Sequence, residues 1–189
     1  MEPFGPFLDT PFTPCTMHFA EPRRFSDLTH CRQLAVTPDE RLLIAASSSG
    51  VWLIDTSDGS KTLIQNSHPD PRFDSRAPIG KWFDIDPQGR WLAIGNNNVN
   101  PDSKNKVKIY KLPAKGESLV SHPSPAKELD NRGVTTVAFS EELDDNGRVL
   151  LATGNSLRYQ FWSVNDDWVE QKRLEITTGE KQTTSRVVF

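Results

Sequence analysis

Side chains able to do chemistry are thinly spread along this chain of 189 residues. Cys15, His18, His30 and Cys31 group sulfur with imidazole, and two cysteines with two histidines could in principle hold zinc in a tetrahedron. The spacing argues against it. His30 and Cys31 are adjacent, and one short stretch of backbone seldom aims both neighbours at a single ion. The expectation is buried cysteines, surface histidines and no bound metal.

A second candidate is the run Gly95-Asn96-Asn97-Asn98-Val99-Asn100-Pro101-Asp102, whose amide and carboxylate oxygens could surround a hard cation such as calcium. Such a run is more often a solvated loop, because asparagine tolerates left-handed backbone angles. Asp84 and Asp86 stand two apart on an extended run and share a face, yet no histidine lies near them in sequence to complete an acid–base pair. They read as a solvated or turn-capping pair. Lys104, Lys106, Lys108 and Lys111 form a basic stretch, but on a strand Lys106, Lys108 and Tyr110 point one way and Val107 and Ile109 the other. That makes them the polar face of a sheet rather than a track for single-stranded nucleic acid, which would need interleaved aromatic rings. The chain has no Gly-x-Ser-x-Gly elbow, no His-Glu-x-x-His pair and no glycine-rich phosphate loop. No catalytic residue, metal site or cofactor is therefore expected, and the chain does not read as an enzyme.

The composition agrees. Basic residues number 22 against 25 acidic ones, a net charge of -3 that does not suit a nucleic-acid partner. Leu, Ile, Val and Phe make up about 24% of the chain, above the roughly 20% below which charged chains stay unfolded. No run approaches the roughly 20 apolar residues of a membrane helix, and Met1 to Pro14 lacks the basic opening and apolar stretch of a secretion signal. With only two cysteines, a reducing compartment fits. These features predict a soluble, cytoplasmic protein that binds neither membrane nor nucleic acid.

The elements that position these residues recur. Arg41-Leu42-Leu43-Ile44-Ala45-Ala46 is echoed by Arg90-Trp91-Leu92-Ala93-Ile94-Gly95 and by Arg148-Val149-Leu150-Leu151-Ala152-Thr153, at spacings of 49 and 58 residues. Turn chemistry precedes each arginine: Thr37-Pro38-Asp39-Glu40, Asp86-Pro87-Gln88-Gly89 and Asp144-Asp145-Asn146-Gly147. Proline presets the first turn position and glycine or asparagine accepts the positive φ that closes it. Short apolar runs stand before each turn, at Leu34 to Val36, Trp82 to Ile85 and Val134 to Phe139. Others follow each arginine-led run, at Val51 to Ile54, Val107 to Tyr110 and Leu157 to Val164. A fourth strand is expected at Lys61 to Gln65, at Glu117 to Val120 and at Trp168 to Ile176. Helical periodicity is absent, so the fold class is all-β, built of repeated units of four antiparallel strands. Units of about 50 residues in tandem are the signature of propeller blades.

The third unit carries a resemblance to a known family. Its Thr135-Thr136-Val137-Ala138-Phe139-Ser140, Leu150-Leu151-Ala152-Thr153-Gly154 and Phe161-Trp162-Ser163 follow in order the three inner strands of the WD-repeat β-propellers. The family's Gly-His pair is missing from every unit. Its Trp-Asp pair survives in halves, Ile54-Asp55 keeping the acid, Trp162-Ser163 the tryptophan and Tyr110-Lys111 neither. The resemblance implies a β-propeller with degenerate blades at about 31–76, 77–130 and 131–182. Residues 183–189 would be the first strand of the next blade, since Val188-Phe189 matches Ala138-Phe139. The propeller so drawn is not closed, because closure takes about four to eight blades. Residues 1–30, with five of the 14 prolines and Phe4, Phe7, Phe12, Phe19 and Phe25, form an irregular lead-in in which Thr16 to Phe19 could add an edge strand. Trp52, Trp91 and Trp162 fall within strands and should pack between blades, whereas Trp82 and Trp168 are free to serve as contact anchors.

The function this implies is that of a non-catalytic protein-binding scaffold, the N-terminal part of a longer propeller, with rigid blades holding loops against a partner protein. The expected contact residues are Ser48, Ser49, Asn97, Asn100, Asp102, Asn155 and Ser156, on the loops joining second to third strands. Open blade faces would also permit self-association. The alternative is a metal-dependent hydrolase, similar to lactonase propellers, with acidic and amide side chains converging on a central metal.

Overall fold

The computed structural model describes residues 33–47, 49–66, 83–95, 106–130, 136–154, 158–164 and 171–177, together with Leu28 and Cys31. Within them the chain is all-β and forms three antiparallel sheets of four strands each. The first holds β1 (Gln33–Val36), β2 (Leu42–Ser47), β3 (Gly50–Asp55) and β4 (Lys61–Asn66) in chain order. The second holds β5 (Phe83–Ile85), β6 (Trp91–Ile94), β7 (Lys106–Lys111) and β8 (Lys127–Asp130). The third holds β9 (Thr136–Leu143), β10 (Val149–Gly154), β11 (Arg158–Val164) and β12 (Gln171–Thr177).

The same local device opens each sheet. A backbone N–H at the turn's first residue reaches across the hairpin, Thr37 to the Leu42 carbonyl at 2.9 Å, Asp86 to Trp91 at 3.0 Å and Asp144 to Arg148 at 2.7 Å. Three residues on, the chain takes a left-handed turn, at Glu40 (φ 59°), Gly89 (φ 68°) and Gly147 (φ 70°). Glycine is suited to that angle and glutamate is not. A side-chain oxygen at the first position holds the returning strand. Asp86 Oδ1 accepts from the N–H groups of Arg90 and Trp91 at 2.5 and 2.7 Å, Asp144 Oδ1 from Arg148 at 2.9 Å, and Thr37 Oγ1 from Leu42 at 3.0 Å.

Alternation along the strands stacks the sheets. Leu42, Ile44, Ala46, Val51 and Leu53 of the first sheet pack against Phe83, Leu92, Ile94 and Tyr110 of the second. The opposite face of the second sheet, Trp91, Ala93, Val107 and Ile109, packs against Val137, Phe139, Val149, Leu151, Trp162 and Val164 of the third. The middle sheet thus has a neighbouring sheet packed on each face. Neither cluster joins the first sheet to the third, so the described stack is open rather than closed. Side chains tie neighbours too: Gln33 Nε2 donates to the Phe83 carbonyl at 2.7 Å, and the Phe139 N–H donates to Asp84 Oδ2 at 2.7 Å.

Several sequence expectations are corrected. The fourth strand of the second unit is β8, not Glu117 to Val120; its single apolar residue, Leu129, is fully buried, and one residue leaves no alternation to read. The face of β7 expected to be polar keeps Lys106 and Lys108 only half-buried but buries Tyr110 against the first sheet, which packs on that end of the strand. Trp91 and Trp162 do pack between sheets, but Trp52 lies on the side of the first sheet turned away from the second, opposite Val51 and Leu53. In the third sheet Leu151, paired with Phe139, takes the place of Leu43 and Leu92, paired with Val36 and Ile85. The Arg148 motif is therefore displaced by one position, because the β9–β10 hairpin is longer and its register slips between Val149 and Leu151. Cys31, expected buried, is exposed.

Candidate partner-binding rims

Because every strand pair is antiparallel, β2, β6 and β10 run the same way in their sheets, and the β1–β2 and β5–β6 turns lie side by side. A methyl group built on Gly89 would stand 3.0 Å from Pro38 Cδ. The ends of β2, β6 and β10 consequently lie at one rim of the stack, and the expected contact residues follow those ends in sequence. Of these residues Ser49 lies within the described chain; Ser48, Asn97, Asn100, Asp102, Asn155 and Ser156 lie outside it. Outside it too are residues 1–27, with Cys15 and His18, then His30, Trp82, Trp168 and the closing residues 183–189.

Ser49 is occupied with holding its own turn. Its N–H donates to Ser47 Oγ at 3.2 Å, the two hydroxyls are 2.8 Å apart, and the Trp52 indole N–H donates to Ser49 Oγ at 2.9 Å. Lys61 places its ammonium 5.6 Å from the centre of the same indole, within cation–π range. The third sheet repeats the motif with other residues: the Trp162 indole donates to Thr153 Oγ1 at 3.1 Å. In both cases a small hydroxyl at the end of a strand satisfies an indole that would otherwise be desolvated without a partner.

The opposite rim carries a feature the sequence reading missed. Residues 113–126, between β7 and β8, form a long surface connection lashed to both the first and second sheets. The Arg41 guanidinium donates through Nη1 to the Glu117 carbonyl at 3.3 Å and through Nη2 to the Pro113 carbonyl. Thr62 Oγ1 donates to the Val120 carbonyl at 3.1 Å, and the Ala126 N–H returns to Ile109 at 2.8 Å. Glu117 closes a local turn by accepting from the Ala114 N–H at 2.7 Å. So held, the connection leaves Lys115, Glu117, Val120 and His122 exposed. The sequence signal that could have found it is the conjunction of Pro113, Gly116, Pro123 and Pro125, which breaks any strand.

Beside it the β3–β4 turn gathers carboxylates. Asp55 Oδ1 accepts from the Ser57 hydroxyl at 2.5 Å and from the Ser57 N–H at 2.8 Å, which holds its carboxyl below the usual range. The Ser60 N–H does the same for Asp58 at 2.7 Å, and the Thr37 hydroxyl for Asp39 at 2.6 Å. Asp84 and Asp86, expected solvated or turn-capping, are a cross-sheet acceptor and a fully buried turn cap respectively. Burial, reinforced by Glu128, pushes the Tyr110 phenol up to about 12. Among the described residues, no group of three or more His, Cys, Asp or Glu side chains is placed to hold a metal ion, and no helix is long and apolar enough to cross a membrane.

No protein-family model matches the chain. No curated protein matches it. Among solved structures it is similar to the crystal structure of a protein from Lactobacillus plantarum, with 16% sequence identity and a TM-score of 0.44 over 83% of this chain. That match spans 44% of the other protein, so this chain is less than two thirds of its length.

Proposed function

We infer that this chain is a section of a β-propeller, resembling the WD-repeat proteins, that works as a non-catalytic protein-binding scaffold and meets its partner through loops of one rim. The observation that carries the reading is the stack itself. Three sheets with one strand order and one turn device are packed face to face, so the ends of β2, β6 and β10, which lead into the expected contact residues, lie at one rim. Rigid strands holding variable loops are suited to recognition. Supporting it, the polar groups nearest the sheets are engaged in holding them. Asp84 and Asp86 accept backbone N–H groups, and Ser49 and Thr153 accept indoles. The partner expected is a protein, with no cofactor.

Photo-crosslinking residues placed at Asn97, Asn100 and Asn155 in turn, with Asp58 and Lys115 on the opposite rim as controls, test the proposal. A discrete protein adduct from the first set alone supports it. Adducts from both rims alike, or from neither, count against it. If calcium or manganese instead raises the melting temperature, and Asn97→Ala or Asp102→Ala removes that rise, the metal-dependent hydrolase replaces the scaffold.

A further inference from the structure

We propose that Ser124 is a phosphorylation site, taking the γ-phosphoryl group of a nucleoside triphosphate from a protein kinase that selects serine before proline. The described chain holds two hydroxyls that precede proline, Thr37 before Pro38 and Ser124 before Pro125. The fold separates them. Thr37 is 3% exposed, its hydroxyl donates to Asp39 Oδ1 at 2.6 Å, and the backbone turns back at Glu40. Ser124 is exposed, on the surface connection between β7 and β8. That connection is tied on either side of it, Thr62 holding the Val120 carbonyl at 3.1 Å and the Ala126 N–H returning to the Ile109 carbonyl at 2.8 Å. Between the ties the chain bends at His122, which is left-handed at φ 55°, and runs on through Pro123 to Pro125 outside any helix or strand. Ser121, His122 and Ser124 are exposed there, while Pro123 and Pro125 are half-buried.

The neighbours of Ser124 suit it to a kinase cleft. A residue before proline is pushed to extended backbone, which holds its side chain clear of the chain on either side. Proline has no N–H, so a cleft that buries the next residue without offering an acceptor takes proline and penalises every other residue. Lys127, the first residue of β8, supplies a cation three positions on, whereas the residue three on from Thr37 is Glu40. Ser118 and Ser121 are exposed on the same connection but precede Leu119 and His122. In the transfer the Ser124 hydroxyl oxygen bonds to the γ-phosphorus, and the bond from that phosphorus to the β–γ bridging oxygen breaks. The nucleoside diphosphate leaves with the electron pair, and the hydroxyl proton passes to the catalytic carboxylate of the kinase. The phosphate adds a charge of about -1.5 to -2 at neutral pH. The chain's own net charge is -3.

The test incubates the folded full chain with a cyclin-dependent protein kinase, magnesium and adenosine triphosphate labelled at the γ-position, and locates the label by tandem mass spectrometry. One phosphate per chain at Ser124 is expected, with an acidic shift on isoelectric focusing. Ser124→Ala should remove that label and the shift, and Ser121→Ala should leave the rate unchanged. Pro125→Ala should slow labelling by about tenfold or more, the effect of one unpaired N–H in the cleft. A synthetic peptide of residues 118–130 should be labelled no faster than the folded chain, because the fold already presents the site. Label confined to Thr10 or Thr13, which also precede prolines, overturns the proposal. So does label at Ser124 in the peptide but not in the folded chain, or a rate indifferent to Pro125→Ala.

Discussion

Replacing Gly89 by alanine and, separately, Gly147 by alanine places the same methyl group in two nearly identical turns. The backbone is left-handed at both, with φ of 68° and 70°. The conformational cost to an L-residue is therefore shared, about 1–2 kcal/mol at each site. The surroundings differ. At Gly147 the added carbon meets nothing within 4 Å, whereas at Gly89 it stands 3.0 Å from Pro38 Cδ and 3.7 Å from Thr37 Cβ, atoms of the neighbouring sheet's turn. A proline ring cannot swing aside like the end of a long side chain, and forcing a carbon into filled space adds about 1–3 kcal/mol. Gly89→Ala should thus destabilise by roughly twice as much as Gly147→Ala. In a chain of this size each kcal/mol lowers the melting temperature by about 2–4 °C. Urea unfolding followed by tryptophan fluorescence gives both values. Pro38→Ala in the Gly89→Ala background should recover about 1 kcal/mol of coupling, but add independently to Gly147→Ala. Equal losses at the two glycines, or no coupling with Pro38, would refute the face-to-face placement of the first two turns.

The remaining predictions concern single groups. Glu40→Gly should stabilise the protein by about 0.5–1 kcal/mol in the same urea assay, because glutamate is held at φ 59° where glycine is at ease. Asp86→Ala should cost about 2–4 kcal/mol, since it removes a buried acceptor from the Arg90 and Trp91 N–H groups and from the Arg90 guanidinium 3.3 Å away. Asp39, Asp55 and Asp58 have carboxyls lowered chiefly by hydrogen bonds from Thr37, Ser57 and Ser60. Their stabilisation is thus full above the unfolded carboxylate value of about 4 and is lost as pH falls through the lowered folded values. The urea midpoint should drop on acidification, less steeply in Ser57→Ala. Tyr110, raised to about 12 mainly by burial, favours the folded state fully below the ordinary phenol value and loses that contribution as pH rises toward its folded one. Ultraviolet titration should resolve one late phenolate, absent from Tyr110→Phe.

The repeat was legible because it is written in local chemistry. Thr37, Asp86 and Asp144 open three turns that close through left-handed residues, and the apolar runs that follow them, buried almost throughout, become β2, β6 and β10. Strand β8 was not legible, since Leu129 alone is apolar in it and its pairing with β7 is a partner's choice rather than a local one. The displaced motif at Arg148 was hidden for a similar reason. A register slip changes which face a side chain takes without altering the order of residue types.

What the sequence determined by itself was the strand-and-turn unit and its recurrence, since turns and alternation act over a few residues and need no distant partner. Tertiary structure decided which face each sheet presents to the next. It turned Asp84 from a free carboxylate into a cross-sheet acceptor, sank Tyr110 between two sheets and used Arg41 to lash down residues 113–126, while leaving Leu34 and Val36 bare. Burial depends on what lies on the far side of a sheet, and that is fixed only when residues some 50 positions apart come together.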